Sequence, residues 1–299
     1  MRSMKSIHAA CAVLVPALLA GGCTVRLDSQ SQISREEKRF TVSGTPAVRV
    51  TTFDGAIEIQ SWDKPDVLVE IEKRGPTKEA LDALEVKTSQ DGNTIELEVR
   101  KPASESLSHI GFHVSASAKL IVWVPRKADV RARSGDGSIR IAHVDGRIEL
   151  HTGDGSIKAE EIAGELTLTT GDGSVTVDGA EGRLALETGD GGVNVTGKLG
   201  AVRLHTGDGS IVYRSQPGAA MEEDWDITTG DGSVSLYLPS EFGAELDAHT
   251  GDGSIRNDLN VTSAESPEAN RRTVKGRLGS GGKQLRIRTG DGSIRLRSL

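Results

Sequence analysis

The chain has 299 residues, of which 36 are glycine and only 3% are aromatic, and it carries a formal net charge of −7. So few Phe, Tyr and Trp cannot fill a wide interior, whereas narrow coils lined by Ile, Val and Leu need none, so an ordinary thick globular core is disfavoured. Nucleic acid is not an expected partner of so acidic a chain.

Arg2 and Lys5 supply a positive start, and Ile7 to Ala20 is an apolar run too short to span a bilayer comfortably. Residues 1–22 therefore read as a signal peptide rather than as part of the fold. The segment ends in Leu18-Leu19-Ala20-Gly21-Gly22-Cys23, which resembles the lipobox of bacterial lipoproteins. The resemblance implies cleavage before Cys23 and acylation of its thiol and new amino terminus. With Thr24 and Val25 next rather than Asp, it also implies sorting to the outer membrane where the host has two membranes. The alternative is an ordinary secretory signal with an incidental cysteine. Cys11 lies inside the removed segment, so the mature chain has no partner thiol for a disulfide.

Residues 23–40 are polar without a sustained apolar period and read as a tether. Residues 41–133 alternate apolar and polar side chains at Val48-Arg49-Val50, Ile57-Glu58-Ile59, Val67 to Ile71, Ile95 to Val99 and Leu120 to Val124, a period of two that predicts strands. Between them Pro76 opens a stretch in which Ala80, Leu81 and Leu84 share a short helix face. This region is expected to cap the repeats that begin at Ser134.

From Ser134 the motif Thr/Ser-Gly-Asp-Gly recurs. Its aspartates are Asp136, Asp154, Asp172, Asp190 and Asp208 at a constant spacing of 18, then Asp231, Asp252 and Asp291 after insertions. Glycine recurs every nine residues from Gly137 to Gly209, and two and four residues after each comes a pair such as Ile139/Ile141, Leu166/Leu168 or Val193/Val195. Spacing by two places both members on one face of a strand. Such a unit cannot bury its pair alone, so a fixed short period implies stacking. The expected fold is mainly β, a parallel β-helix-like solenoid over 134–299, with 18-residue coils of two nine-residue strand-turn units.

Three features carry a resemblance to a known family: Phe53-Asp54-Gly55-Ala56-Ile57-Glu58-Ile59 followed by Trp62-Asp63-Lys64-Pro65, the Val124-Pro125-Arg126-Lys127 step, and the Gly-Asp-Gly-Ser-Ile/Val repeats. Over about residues 45–299 the chain resembles a bacterial domain-of-unknown-function family of β-strand repeats whose members carry the label "putative adhesin". The resemblance implies a fold and says almost nothing about function.

Two sets of residues are candidates for binding. In a solenoid the carboxylates of Asp136, Asp154, Asp172, Asp190 and Asp208 stack about 4.8 Å apart. They then repel by about 0.9 kcal/mol in water and about 3.5 kcal/mol at an effective dielectric near 20. An exposed row tolerates this, while a recessed row needs a counterion such as Ca²⁺. The structural reading is that each Asp accepts a backbone N–H and the following Gly supplies a positive φ. His151 and His205 recur in His-Thr-Gly-Asp, but Thr169 and Glu187 occupy the intervening coils, so the two cannot share an ion.

The second set is basic. Residues 271–299 hold nine Arg and Lys against one acid, Asp291, in a mature chain that is otherwise strongly acidic. Arg286, Arg288, Arg295 and Arg297 on the last coil are expected either to protect an open strand edge or to dock an envelope protein or an anionic envelope component. No nucleophile elbow, His-Glu-x-x-His or phosphate loop is present in the sequence, so no catalytic residue and no firm metal site are assigned. The expectation is a non-enzymatic, lipid-anchored envelope protein without a required cofactor, acting as an adhesin-like binding or scaffolding module. The alternatives are an accessory in envelope-stress signalling and an envelope-polysaccharide hydrolase or lyase.

Overall fold

The computed structural model describes residues 32–101, 116–262 and 271–299; the signal segment 1–22 and Cys23 lie outside them. The N-terminal third contains β1 (Gln32–Phe40), β2 (Ala47–Thr52), β3 (Ile57–Trp62), β4 (Val67–Gly75), helix α1 (Lys78–Asp82), β5 (Glu85–Asp91), β6 (Thr94–Arg100) and β7 (Ser117–Pro125). The repeats supply β8 (Asp129–Ser134), β9 (Ile139–Ala142), β10 (Asp145–Thr152), β11 (Ile157–Glu160), β12 (Ala163–Thr170), β13 (Val175–Thr188), β14 (Val193–Thr206) and β15 (Ile211–Ser215). After them come β16 (Trp225–Thr229), β17 (Val234–Leu238), β18 (Ala244–Thr250), β19 (Ile255–Asn257), β20 (Val261–Thr262), β21 (Thr273–Leu278), β22 (Gln284–Thr289) and β23 (Ile294–Ser298).

The fold is a β-solenoid, and the repeat strands pair in parallel with an 18-residue register. Ile148 faces Leu166, which faces Leu184, and Ile139 faces Ile157, which faces Val175. Each coil contributes one strand to each of two facing ladders. All eighteen positions of the expected apolar pairs, from Ile139 to Tyr213, are buried. Tyr213 breaks the aliphatic rule where Trp225, at the end of the insertion after β15, and Phe242, in the β17–β18 connection, also enter the core. The Tyr213 and Trp225 rings meet edge to face at 5.1 Å, and Trp225 and Phe242 lie 5.3 Å apart.

The two corners of a coil differ. At Gly-Asp-Gly the chain turns sharply, whereas at the other corner β13 and β14 run on for 14 residues each. Two irregularities, at Asp178/Ala180 in β13 and opposite Gly200 in β14, offset one another and keep the 18-residue period.

The structure departs from the sequence-based expectations in three places. First, the segment read as tether becomes a strand at Gln32: β1 pairs antiparallel with β4 along its whole length, its charged residues forming ion pairs across the ladder. Second, the parallel stack extends into residues 41–133. The β2/β3 coil lies between the β6/β7 and β8/β9 coils, and beyond the β6/β7 coil β5 pairs antiparallel with β6, β4 with β7 and β1 with β4.

Third, the C-terminal coil is not an open end. β22 is paired on both sides, with β16 and β18, and β23 lies between β17 and β19. The chain overshoots with β18/β19, turns through the antiparallel strands β20 and β21, and returns to fill the vacant coil. Arg286, Arg288, Arg295 and Arg297 therefore do not protect or present an edge, since that edge is already occupied by backbone hydrogen bonds.

Candidate functional site

The Gly-Asp-Gly corner is built from the hydroxyl that precedes it. Thr152, Thr170, Thr188, Thr206, Thr229, Thr250 and Thr289 form a buried column. Each hydroxyl donates to glycine carbonyls of the adjacent coil, as from Thr170 to Gly153 at 3.2 Å and Gly155 at 2.9 Å. At several corners the same hydroxyl accepts the N–H three residues on, at 3.2 Å from Gly209 to Thr206 and 3.0 Å from Gly253 to Thr250. This replaces the expected Asp-to-backbone turn.

The expected positive φ is also absent at the glycine after each aspartate. Left-handed φ occurs instead at the opposite corner, +120° at Gly164 and +107° at Gly182. Glycine is needed after the aspartate because a Cβ at Gly173 would stand 2.0 Å from the Gly155 carbonyl oxygen of the neighbouring coil.

Asp136, Asp154, Asp172, Asp190 and Asp208 are all exposed at this corner. Among the described residues no group of three or more His, Cys, Asp and Glu is placed to hold a metal ion. His151, Thr169, Glu187 and His205 lie in successive register. A groove of about 700 Å³ at the opposite corner is lined by Arg126, His143, Glu160, Glu161, Asp178 and Glu181, among others, and is crossed by a His143–Glu161 contact at 2.9 Å.

The four arginines are split between faces. Arg286 and Arg288 lie on the β22 face among acids: Arg286 is 3.6 Å from Asp226, and Arg288 is 2.7 Å from Asp247. Desolvation pushes the Asp247 carboxyl up, but the Arg288 hydrogen bond and the charges of Arg288, Lys275 and Arg286 outweigh it and hold the group below the usual carboxylate range. Arg295 and Arg297 point out from β23 on the other face, where Arg256 on β19 is the direct neighbour of Arg295 and Arg214 on β15 lies two strands from Arg297, across Tyr237 of β17. Sequence reasoning missed Arg214 and Arg256 because they fall outside the basic C-terminal window, and only the coil order brings them alongside.

A second surface cluster also needed the fold. Trp62 and Trp123, on adjacent strands, have ring centroids 6.3 Å apart, with Lys64 Nζ 4.6 Å over the Trp62 ring.

These features define a two-faced parallel β-solenoid whose interior is mainly aliphatic and whose outer faces carry rows of charge. The chain belongs to the family described as Toastrack DUF4097, whose model matches residues 30–297. A comparison with curated proteins finds no match. Among solved structures, a "putative lipid binding protein" from Parabacteroides distasonis is 14% identical over 89% of this chain and 96% of its own, with a TM-score of 0.44. A "putative adhesin" from Bacteroides fragilis is 13% identical over 89% of this chain and 97% of its own, with a TM-score of 0.41. A "putative cell adhesion protein" from Clostridium sporogenes is 15% identical over 90% of this chain and 100% of its own, with a TM-score of 0.29. These likenesses bear on neither ligand nor partner.

Proposed function

We propose that the mature chain is a non-catalytic binding and presentation module of the cell envelope, anchored through Cys23. The observation that carries this reading is the separation of roles across each strand. In β7 the residues alternate strictly between buried and half-buried, and β11 and β15 likewise alternate buried positions with half-buried or exposed ones. The inward positions are spent on apolar packing and on the buried hydroxyl column, and the outward positions form rows at strand spacing, a geometry suited to holding an extended partner. The Gly21-Gly22-Cys23 sequence supports lipid attachment at the point where the polar segment begins.

Two measurements test the reading. Labelled palmitate is expected to enter the wild-type chain but not Cys23→Ser, and the variant is expected to keep the mass of residues 1–22. Palmitate label in Cys23→Ser equal to that in the wild type would overturn the anchor. Incubation with acidic polysaccharides should release no reducing ends; a steady release would establish an enzyme instead.

A further inference from the structure

The two outer faces treat the same C-terminal coils in opposite ways. On the first face the row Arg203, Asp226, Arg286, Asp247, Lys275 alternates in sign across β14, β16, β22, β18 and β21. On the second face Arg214 lies beside Tyr237, which lies beside Arg297. One outward position earlier on the strands, Arg295 and Arg256 are direct neighbours in parallel register.

All four arginines are exposed. Among the described residues, no carboxylate lies within ion-pair distance of Arg214, Arg256 or Arg295, and the nearest to Arg297 is Asp258 at 4.0 Å. Like charges opposite one another on adjacent strands destabilise a sheet. The chain thus keeps one directly opposed like-charged pair, Arg256/Arg295, with Arg214 and Arg297 close by, on one face of coils whose other face is neutralised, although acidic residues are in surplus.

We propose that Arg214, Arg256, Arg295 and Arg297 form a binding strip for an acidic polysaccharide, an inference that rests on the binding-module reading above. Three features favour a polymer. Arg256 and Arg295 stand at strand spacing, about 4.8 Å, Arg297 lies about 7 Å from Arg295 along β23, and Arg214 is two strand spacings, about 10 Å, from Arg297, a set of cations at short intervals that suits a ligand of repeating charge. The strip includes a half-buried ring, Tyr237, held 4.0 Å from the Arg214 guanidinium carbon, as a flat surface between the charges. Among the described residues only Leu299 adds an exposed large apolar side chain nearby, too little to enter a bilayer. The exposed acids Asp252 and Asp291 sit at the corner before β19 and β23, and Arg297 lies roughly 10 Å further along its strand, about a Debye length away at moderate salt.

The test uses the soluble mature chain, residues 24–299, with polygalacturonate as the probe. Wild type is expected to bind in a salt-dependent manner. Arg256→Ser/Arg295→Ser should weaken binding about tenfold or more, while the charge-matched Arg203→Ser/Arg286→Ser on the other face stays within about twofold. The first variant should melt no lower than wild type, because it relieves repulsion. Equal losses in both variants, or no binding by wild type, would overturn the strip. So would binding to phosphatidylglycerol-containing vesicles but not to the polymer. An unmodified chain that still binds isolated envelopes, equally well with Arg256→Ser/Arg295→Ser, would reject the strip and leave the broader reading intact.

Discussion

The threonine of each Thr-Gly-Asp-Gly motif is the residue on which the corner depends. Its hydroxyl is buried, and its acceptors are glycine carbonyls at the corner of the neighbouring coil. Thr170→Val keeps the shape and removes the donor, so it should cost about 1–3 kcal/mol in a denaturant titration. Glycine at the corner answers to space rather than to φ. Gly173→Ala drives a Cβ into the Gly155 carbonyl and should cost at least about 3 kcal/mol. Gly92→Ala is the contrasting case. Its φ is +56° with nothing within 4 Å, so only the left-handed backbone resists, at about 1–2 kcal/mol. Equal effects for the two alanines would refute the close-approach account. The hydroxyl column was not legible from sequence, because a repeated Thr beside a repeated Asp does not say which side chain turns inward.

At the scale of elements, β1 shows how a charged segment becomes a strand. Arg35 and Arg74 both hydrogen-bond to the buried Glu72, at 2.9 and 2.6 Å, and these bonds hold its carboxyl below the usual range against desolvation. A depressed carboxylate stabilises the fold above its unfolded value, near 4.5, and that stabilisation is lost as the pH falls through the lower folded value. Glu72→Gln should therefore lower Tm at pH 7, and the deficit should shrink as the pH falls below 4.5 and the wild-type carboxyl is protonated. A deficit that persists unchanged in acid would show that the ion pairs are not what docks β1. The helix was easier to foresee. Pro76 and the Ala80, Leu81, Leu84 spacing predicted it, and Thr77 caps it by accepting from the Ala80 N–H at 3.2 Å.

Across the whole molecule, the order of coils in space is not their order in sequence. At each end one coil is inserted between two others: β2/β3 between β6/β7 and β8/β9, and β22/β23 between β16/β17 and β18/β19. Each insertion ties distant segments into one ladder. A chain ending at Gly279 loses an interior coil, not a terminal one. It should lose hydrogen-exchange protection from β16 through β21 together, with a lower denaturant m-value. Undiminished protection over 225–278 would mean that β18/β19 can pair directly with β16/β17.

The repeats, the 18-residue register and the inward aliphatic pairs were determined by the sequence alone, because period two and a fixed coil length leave one way to bury Ile139/Ile141 and their successors. The strands in 41–133 were legible for the same reason. Tertiary structure alone decided the neighbours of the last coil, the conversion of Gln32–Phe40 into a strand, and the separation of Arg286 and Arg288 from Arg295 and Arg297. Register between segments 40 or more residues apart is set by which backbone groups remain unpaired when the chain returns, and no local pattern of side chains encodes that order.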